Sequence, residues 1–96
     1  MVRRLRLKAQ AIDDVSEAYD WYESQKDGLG TSFLDELEKY LDTITKRPES
    51  FKHHGHQRVA VMSRFPFNIV FGIEFSTILV YRVFHQSRNP GQLAKH

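Results

Sequence analysis

The spacing of apolar residues changes once along this chain, and that change limits the folds that the chain can adopt. Between about residues 10 and 46, apolar side chains recur at steps of three and four, which is the period of an amphipathic helix. From residue 58 to residue 84 they alternate or run continuously, as they do in strands. Helices in one block and strands in another predict an α+β domain.

The first helix is predicted over about residues 10–25. Asp13 and Asp14 suit its first turn, where the helix dipole favours negative charge. Asp27-Gly28-Leu29-Gly30 ends it, because glycine can adopt the left-handed conformation that closes a helix. Trp21 lies off the main apolar stripe, so we expect its side chain to be partly exposed, where it could anchor a partner.

A second helix follows, with Thr31 or Ser32 as its N-cap. Asp35 stands three residues after Ser32, in the manner of a capping box. Pro48 stops the helix, because the residue before a proline is disfavoured in helical conformation. Two helices joined by so short a linker predict an antiparallel hairpin.

Four strands are predicted, at residues 2–7, 58–62, 67–74 and 78–84, and residues 49–57 are predicted to form a loop. The order is therefore β-α-α-β-β-β. We expect the helical hairpin to pack on one face of a mainly antiparallel four-stranded sheet.

Length and composition predict one domain over residues 1–96 and place it in the cytoplasm. A chain of 96 residues is the size of one domain. It has no cysteine, which is compatible with a reducing compartment. The basic N-terminus is not followed by the apolar run of a signal peptide, and no stretch approaches the roughly 20 apolar residues of a membrane span.

The small net charge of +2 hides a segregation of charge along the chain. Residues 11–45 contain ten acids and only Lys26 and Lys39 as bases, whereas all five histidines and most of the Lys and Arg lie elsewhere. One interpretation is that the acidic and the basic residues form separate solvent-exposed faces whose charges balance each other. The other is a basic surface that meets a polyanion or an acidic protein.

His85 and Arg88, at the end of the last strand, are the best candidates for chemistry. A histidine can transfer a proton near neutral pH, and an arginine can hold a phosphate and stabilise the charge that develops during strand cleavage. That is the minimum chemistry of a metal-free ribonuclease. Arg82 would face the opposite side of the sheet from His85 in a regular strand. The alternative is that His85 is a hydrogen-bonded structural histidine.

Other basic residues are candidates for contact with nucleic acid or another target. Arg58 begins the second predicted strand, and Arg82 lies in the last one. His53, His54 and His56 could bind a transition metal adventitiously, but a metal site usually has its ligands on fixed elements, and these lie in a predicted loop. We therefore expect no metal and no cofactor, and a loop that contacts phosphate or a partner.

Several motifs follow one another in an order that resembles the RelE/ParE toxin superfamily over nearly the whole chain. They are Trp21-Tyr22, Gly28-Leu29-Gly30 with Phe33-Leu34, Ile44 and Pro48, Arg64-Phe65-Pro66-Phe67 leading into Ile69-Val70-Phe71, and His85-Gln86-Ser87-Arg88-Asn89-Pro90. The fold of that family, a helical hairpin against an antiparallel sheet, is similar to the one argued above.

The resemblance implies a growth-inhibiting toxin that a cognate antitoxin neutralises. RelE-like members cut messenger RNA in the ribosomal A site, and ParE-like members poison DNA gyrase. We expect the antitoxin to lay a helix or strand over the sheet or the hairpin and to bury apolar surface there.

The residues that the resemblance assigns to RNA cleavage are only partly present. Asn68 stands where the nuclease branch has an arginine near the start of the third strand. Arg88 and His85 match the later positions, no aromatic residue follows Phe84, and Arg64 could substitute for the missing arginine from a different position. The first hypothesis is therefore action on gyrase, the second is a ribosome-dependent endoribonuclease, and the third is a degenerate member that only binds its antitoxin.

Overall fold

A computed structural model of the protein describes residues 4–87 and has the predicted α+β architecture. Two helices lie against one five-stranded sheet. The elements are β1 (Arg4–Leu7), α1 (Ala9–Gln25), α2 (Leu29–Lys46), a short 3₁₀ helix (Pro48–Ser50), β2 (His53–His54), β3 (Gln57–Val61), β4 (Phe67–Glu74) and β5 (Thr77–His85).

The strands lie in the order β1-β5-β4-β3-β2. β1 runs parallel to β5, with Arg4 opposite Thr77, and every other pairing is antiparallel. The prediction of a mainly antiparallel sheet is confirmed, but the sheet has five strands and not four. The extra strand, β2, lies inside the predicted loop at residues 49–57, because two residues are too few to show a period in the sequence.

The predicted N-terminus of α1 was one residue late, and this displaces the two acidic residues assigned to its first turn. α1 begins at Ala9, so Asp13 and Asp14 lie beyond the first turn, which contains no acidic residue. Neither residue is therefore placed to interact with the positive end of the helix dipole, which acts only over the first turn. Asp14 has a different role, described below.

The predicted cap of α2 was wrong. The helix begins at Leu29, and its N-cap is Gly28, whose φ of 86° is in the left-handed region. Ser32 lies within the first turn, and its hydroxyl donates to the Gly28 carbonyl at 3.2 Å. The carboxylate of Glu23, on α1, accepts hydrogen bonds from the amides of Gly28 and Gly30, both at 2.9 Å. The preceding helix thus supplies the cap of the next one.

The core lies between the hairpin and one face of the sheet, and an aromatic cluster occupies one end of it. Tyr22 of α1, Phe33 of α2, Phe65 of the β3–β4 loop and Phe67 of β4 form this cluster, with ring centroids between 5.0 and 6.1 Å apart. All four rings are buried. Such pairs add about 0.5–1.5 kcal/mol each beyond the burial of their area. The cluster therefore joins both helices to the same end of the sheet.

Neither helix of the described chain, residues 4–87, is long and apolar enough to cross a membrane.

The Glu23 cap makes a testable contribution to stability. We expect Glu23→Ala to lower the free energy of unfolding by about 1 kcal/mol, because two amides at the start of α2 lose their acceptor. Urea unfolding followed by circular dichroism measures this change. The matched control is Glu38→Ala, an exposed position on α2, which should shift stability by less than about 0.5 kcal/mol. Equal effects at the two positions would show that the cap contributes nothing.

Candidate functional site

The C-terminal part of β5 has no strand beside it on one edge. β1 ends at Leu7, and the last backbone hydrogen bond on that side runs from the Lys8 amide to the Val80 carbonyl at 2.9 Å. β5 continues to His85, with α1 lying alongside. An exposed strand edge has unpaired amides that must be satisfied. This part of β5, together with α1, forms the candidate site.

A β-bulge interrupts β5 where it passes the end of β1. Phe71 of β4 pairs with Val80, but the preceding residue, Val70, pairs with Arg82, so Tyr81 has no partner on β4. The bulge shifts the alternation of side chains by one residue. Arg82 and His85 were expected to face opposite sides of a regular strand. Pairing is regular again from Arg82 to His85, yet both residues line one groove, because this groove lies at the free edge of β5 and consecutive residues of the strand border it.

Asp14 of α1 binds the free edge of β5. Its carboxylate accepts hydrogen bonds from the Arg82 side chain at 2.7 Å (Nε) and 3.1 Å (Nη2), and from the Val83 amide at 2.9 Å. The bidentate geometry fixes the guanidinium. Hydrogen bonding to Asp14 raises the pKa of Arg82 above its usual value, and the charge of Glu17 adds to that rise. The Arg82 guanidinium is therefore engaged by Asp14.

The groove between α1 and the end of β5 has a volume of about 490 Å³. Its lining is apolar at the base and acidic along α1. Among residues 4–87, three carboxylates line it, against the guanidinium of Arg82. The apolar lining is Ala18, Tyr22, Phe67, Val83 and Phe84, and the acidic residues are Asp13, Asp14 and Glu17. A groove of this kind suits an apolar segment that carries positive charge.

Trp21 borders this groove and is 59% exposed, which agrees with the partial exposure expected from its position off the apolar stripe. Its ring meets the ring of Tyr22 edge to face, with 5.1 Å between centroids. Because Tyr22 belongs to the buried aromatic cluster, the Trp21 indole packs against a side chain that the core holds in place. Burial raises the pKa of the Tyr22 phenol, so this residue stays neutral around the groove. An exposed, well-supported Trp is a typical anchor for a protein partner.

His85 lies at the end of the groove with one of its ring nitrogens already engaged. Nδ1 accepts from the Ser87 amide at 3.2 Å and lies 2.8 Å from the Ser87 hydroxyl. The ring also packs edge to face on Phe67, with 5.3 Å between centroids. Since Nδ1 accepts, the proton of the neutral ring is assigned to Nε2. These contacts are those of a structural histidine, and they also orient Nε2 for a ligand.

The other predicted site residues do not line the groove. Arg64 follows β3, with its guanidinium 3.8 Å from the Glu36 carboxylate of α2 and 5.6 Å from the Phe65 ring centroid. Arg58 donates from Nη1 to the Phe51 carbonyl at 3.1 Å. Arg88 lies outside the described residues.

The three clustered histidines lie at the far edge of the sheet, away from His85. His53 and His54 form β2, and His56 lies in the turn before β3, all three exposed. Within residues 4–87, no group of three or more histidine, aspartate or glutamate side chains could hold a metal ion. The structure therefore separates the predicted basic residues into different places.

Asn68 is half-buried on β4, opposite Phe84 of β5 and Val61 of β3. Its amide oxygen is buried and has no hydrogen-bond donor among residues 4–87. A buried acceptor without a donor costs about 1–3 kcal/mol. Unlike the arginine expected at this position in the nuclease branch, this side chain has no positive charge to place against a phosphate.

Sequence reasoning missed the acidic side of the site. Asp14 was assigned to the first turn of α1 and Glu17 was counted only among the acids of residues 11–45, and no local pattern links them to a strand that follows almost 70 positions later. The signal that was available is their position on α1, one helical turn apart and on the side of Trp21.

Two comparisons with known proteins find relatives of this chain. The family described as the ParE toxin of the type II toxin–antitoxin system, parDE, matches residues 5–90. A chain from the chromosomal ParDE TA system of P. aeruginosa superposes with a TM-score of 0.77 at 15% identity, covering 88% of this chain and 96% of that one. At such low identity, the second match shows a shared fold. No curated protein matches the sequence.

The three bonds of Asp14 predict a large effect of its removal. We expect Asp14→Ala to lower the free energy of unfolding by about 1–2 kcal/mol, because the Val83 amide and the partly exposed Arg82 lose their acceptor together. Chemical denaturation measures it. Asp13→Ala is the matched control, since Asp13 is exposed on the same helix and makes no ion pair within residues 4–87. A loss at Asp13 as large as that at Asp14 would contradict the assignment.

Proposed function

Because this chain belongs to the ParE toxin family of type II toxin–antitoxin systems, we propose that it inhibits growth in the cytoplasm by binding DNA gyrase. The observation that carries this proposal is the electrostatic character of the groove around His85. Among residues 4–87, three carboxylates line that groove, and its arginine, Arg82, is held by Asp14. An acidic groove repels a phosphodiester backbone, which disfavours RNA cleavage there and favours a toxin that acts by binding a protein.

The second hypothesis, a ribosome-dependent mRNA endonuclease, depends on His85, whose Nε2 is free of any partner within residues 4–87. Proton transfer alone is insufficient, because cleavage also needs a cation beside the phosphate that becomes more negative. Arg82 is committed to Asp14, and Asn68 is uncharged. Arg64 lies beside Glu36 of α2 and does not line the groove. Within residues 4–87 the groove has no free cation for cleavage, so its described part fits binding better, and Arg88 lies outside the described residues.

A toxin of this family has an antitoxin as its partner, and the groove offers that antitoxin a docking place. An apolar residue of the antitoxin would contact Trp21 and the base of the groove, and Lys or Arg residues beside it would lie against Asp13 and Glu17. Long-range attraction between such charges raises the association rate, while burial of the aromatic anchor sets the dissociation rate.

The proposed action on gyrase is tested with purified protein. We expect the chain to inhibit supercoiling of relaxed plasmid by gyrase, and His85→Ala to inhibit equally well, because binding does not need a proton donor. In parallel, primer extension on messages under translation should show intact RNA. New codon-linked 5′ ends that disappear in His85→Ala would contradict the proposal and support the endonuclease.

Expression in cells distinguishes both mechanisms from a degenerate family member. Growth should stop when the chain is expressed alone and resume when the antitoxin is co-expressed. Normal growth with the folded chain present, accompanied by unchanged antitoxin binding, would show a protein that binds its antitoxin without toxicity.

Docking of the antitoxin in the groove predicts a selective effect at Trp21. We expect Trp21→Ala to weaken antitoxin binding by about 30-fold or more, as for other buried aromatic anchors. Isothermal titration calorimetry measures the affinity. Ile12→Ala is the control, because Ile12 is 55% exposed on α1 but does not line the groove, and it should change affinity by less than about threefold. Equal losses at Ile12 and Trp21 would place the antitoxin elsewhere.

A further inference from the structure

The turn between β4 and β5 presents an aromatic residue in an unfavourable position. Phe75 has a φ of 58°, the only positive value for a non-glycine residue between positions 4 and 87. Its side chain is also fully exposed. A bulky residue in the left-handed region costs about 1–2 kcal/mol, and Gly or Asn is tolerated there far better. Phe75 therefore contributes nothing to the fold that would explain its presence.

The strands behind this turn are closely packed against each other. Gly72 of β4 has no side chain, and Tyr81 of β5 lies across it, so that a Cβ at Gly72 would be 2.8 Å from the Tyr81 hydroxyl oxygen. Burial raises the pKa of the Tyr81 phenol, and the carboxylate of Glu74, the last residue of β4, raises it further, so the phenol stays protonated. Close packing behind the turn restricts the strands that present Phe75, and a restricted segment loses less conformational entropy when it binds.

Positive charge lies beside the turn. The Arg4 amide donates to the Ser76 carbonyl at 3.2 Å, which places β1 directly against the turn. Arg4 and Arg6 are both exposed and lie on the same face of β1, since they are two residues apart, while Leu5 and Leu7 pack against the core. Glu74, also exposed, lies on the β4 side of Phe75, so the positive charge is confined to the side of β1. A partner at the turn should therefore have acidic residues where it faces β1.

The turn and the groove lie at opposite ends of β5. The turn precedes Thr77, whereas the groove surrounds Val83 to His85. Strands rise about 3.3 Å per residue, so the two surfaces are roughly 25 Å apart. A partner bound in the groove leaves the turn accessible unless it extends along the whole strand.

We infer that the β4–β5 turn, with Phe75 flanked by Arg4 and Arg6, is the surface by which this protein engages its cellular target, a protein with an apolar pocket bordered by acidic side chains. This inference rests on the proposed function, since it needs a toxin that acts by binding. It assigns target and antitoxin to separate surfaces. Aromatic and arginine side chains are the residues that most often dominate such contacts.

The test uses Phe75→Asn, which removes the ring and relieves the backbone. Thermal unfolding should show a rise in Tm of about 3 °C or more, because Asn accepts the left-handed conformation. The concentration that half-inhibits gyrase supercoiling should rise by about 30-fold or more. Antitoxin affinity should stay within about threefold of the wild-type value, because the groove is distant. If Phe75→Asn is more stable than wild type, still binds the antitoxin and inhibits gyrase less, then misfolding is excluded as the cause of the weaker inhibition.

Two further variants define the chemistry of the contact. Phe75→Tyr keeps an aromatic ring and should retain inhibition within about threefold of wild type. Arg4→Glu combined with Arg6→Glu should weaken inhibition by about tenfold or more through repulsion from an acidic partner. Inhibition that is indifferent to these two charge reversals would overturn the assignment of an acidic partner surface.

The remaining outcomes separate this inference from the proposed function. If Phe75→Asn inhibits gyrase as strongly as wild type, the turn is not the target surface, and the binding toxin stands. If the wild-type protein does not inhibit gyrase, both fail. Fluorescence anisotropy with single-stranded and duplex DNA, in the absence of gyrase, is the last control. DNA binding that Phe75→Asn abolishes would overturn the protein partner in favour of base stacking.

Discussion

The aromatic cluster of Tyr22, Phe33, Phe65 and Phe67 is the contact on which the rest of this structure depends. It is the place where α1, α2, β4 and the β3–β4 loop all meet. Trp21 packs on one side of it and the imidazole of His85 on another. Both residues at the groove therefore take their position from the core. A small domain with a modest core can hold a precise site when its largest rings lie directly beneath that site.

The second constraint is the unequal length of neighbouring strands. β5 extends past the end of β1, and a free edge of this kind invites pairing with any extended chain. Here a helix carboxylate occupies the edge, since Asp14 binds both the Val83 amide and the Arg82 side chain. The same interaction that protects the edge turns a basic strand end into a groove with acidic residues along one side. The arginine and histidine of this strand suggest a positively charged site in the sequence, whereas carboxylates outnumber the guanidinium in the described part of the groove.

The sequence predicted the regular elements well because their patterns are long. α1 and α2 follow a period of 3.6, and the alternation of Phe67, Ile69 and Phe71 defines β4 to the residue. It failed where the determinant is distant or short. β2 has only two residues, and Glu23 replaces a cap that Ser32 and Asp35 had suggested. The early end of β1 leaves an edge of β5 open beside α1, and no local pattern shows this, so a groove bordered by both Arg82 and His85 could not be foreseen. The positive φ of Phe75 could not be predicted, because the residue type alone does not determine the backbone dihedral angles.

The parallel pairing of β1 with β5 affects when the protein can fold during its synthesis. β1 leaves the ribosome before the other described elements, but within residues 4–87 it pairs only with the last strand of the sheet, with Arg4 opposite Thr77. Pairing between residues so far apart in sequence is slow, since the intervening chain must first be ordered. Until β5 is synthesised, Asp14 has no guanidinium to bind, the groove has no second side, and Phe75 is not held in its turn. A nascent chain thus lacks both contact surfaces until β5 has been synthesised, and the fold delays its own activity until that point.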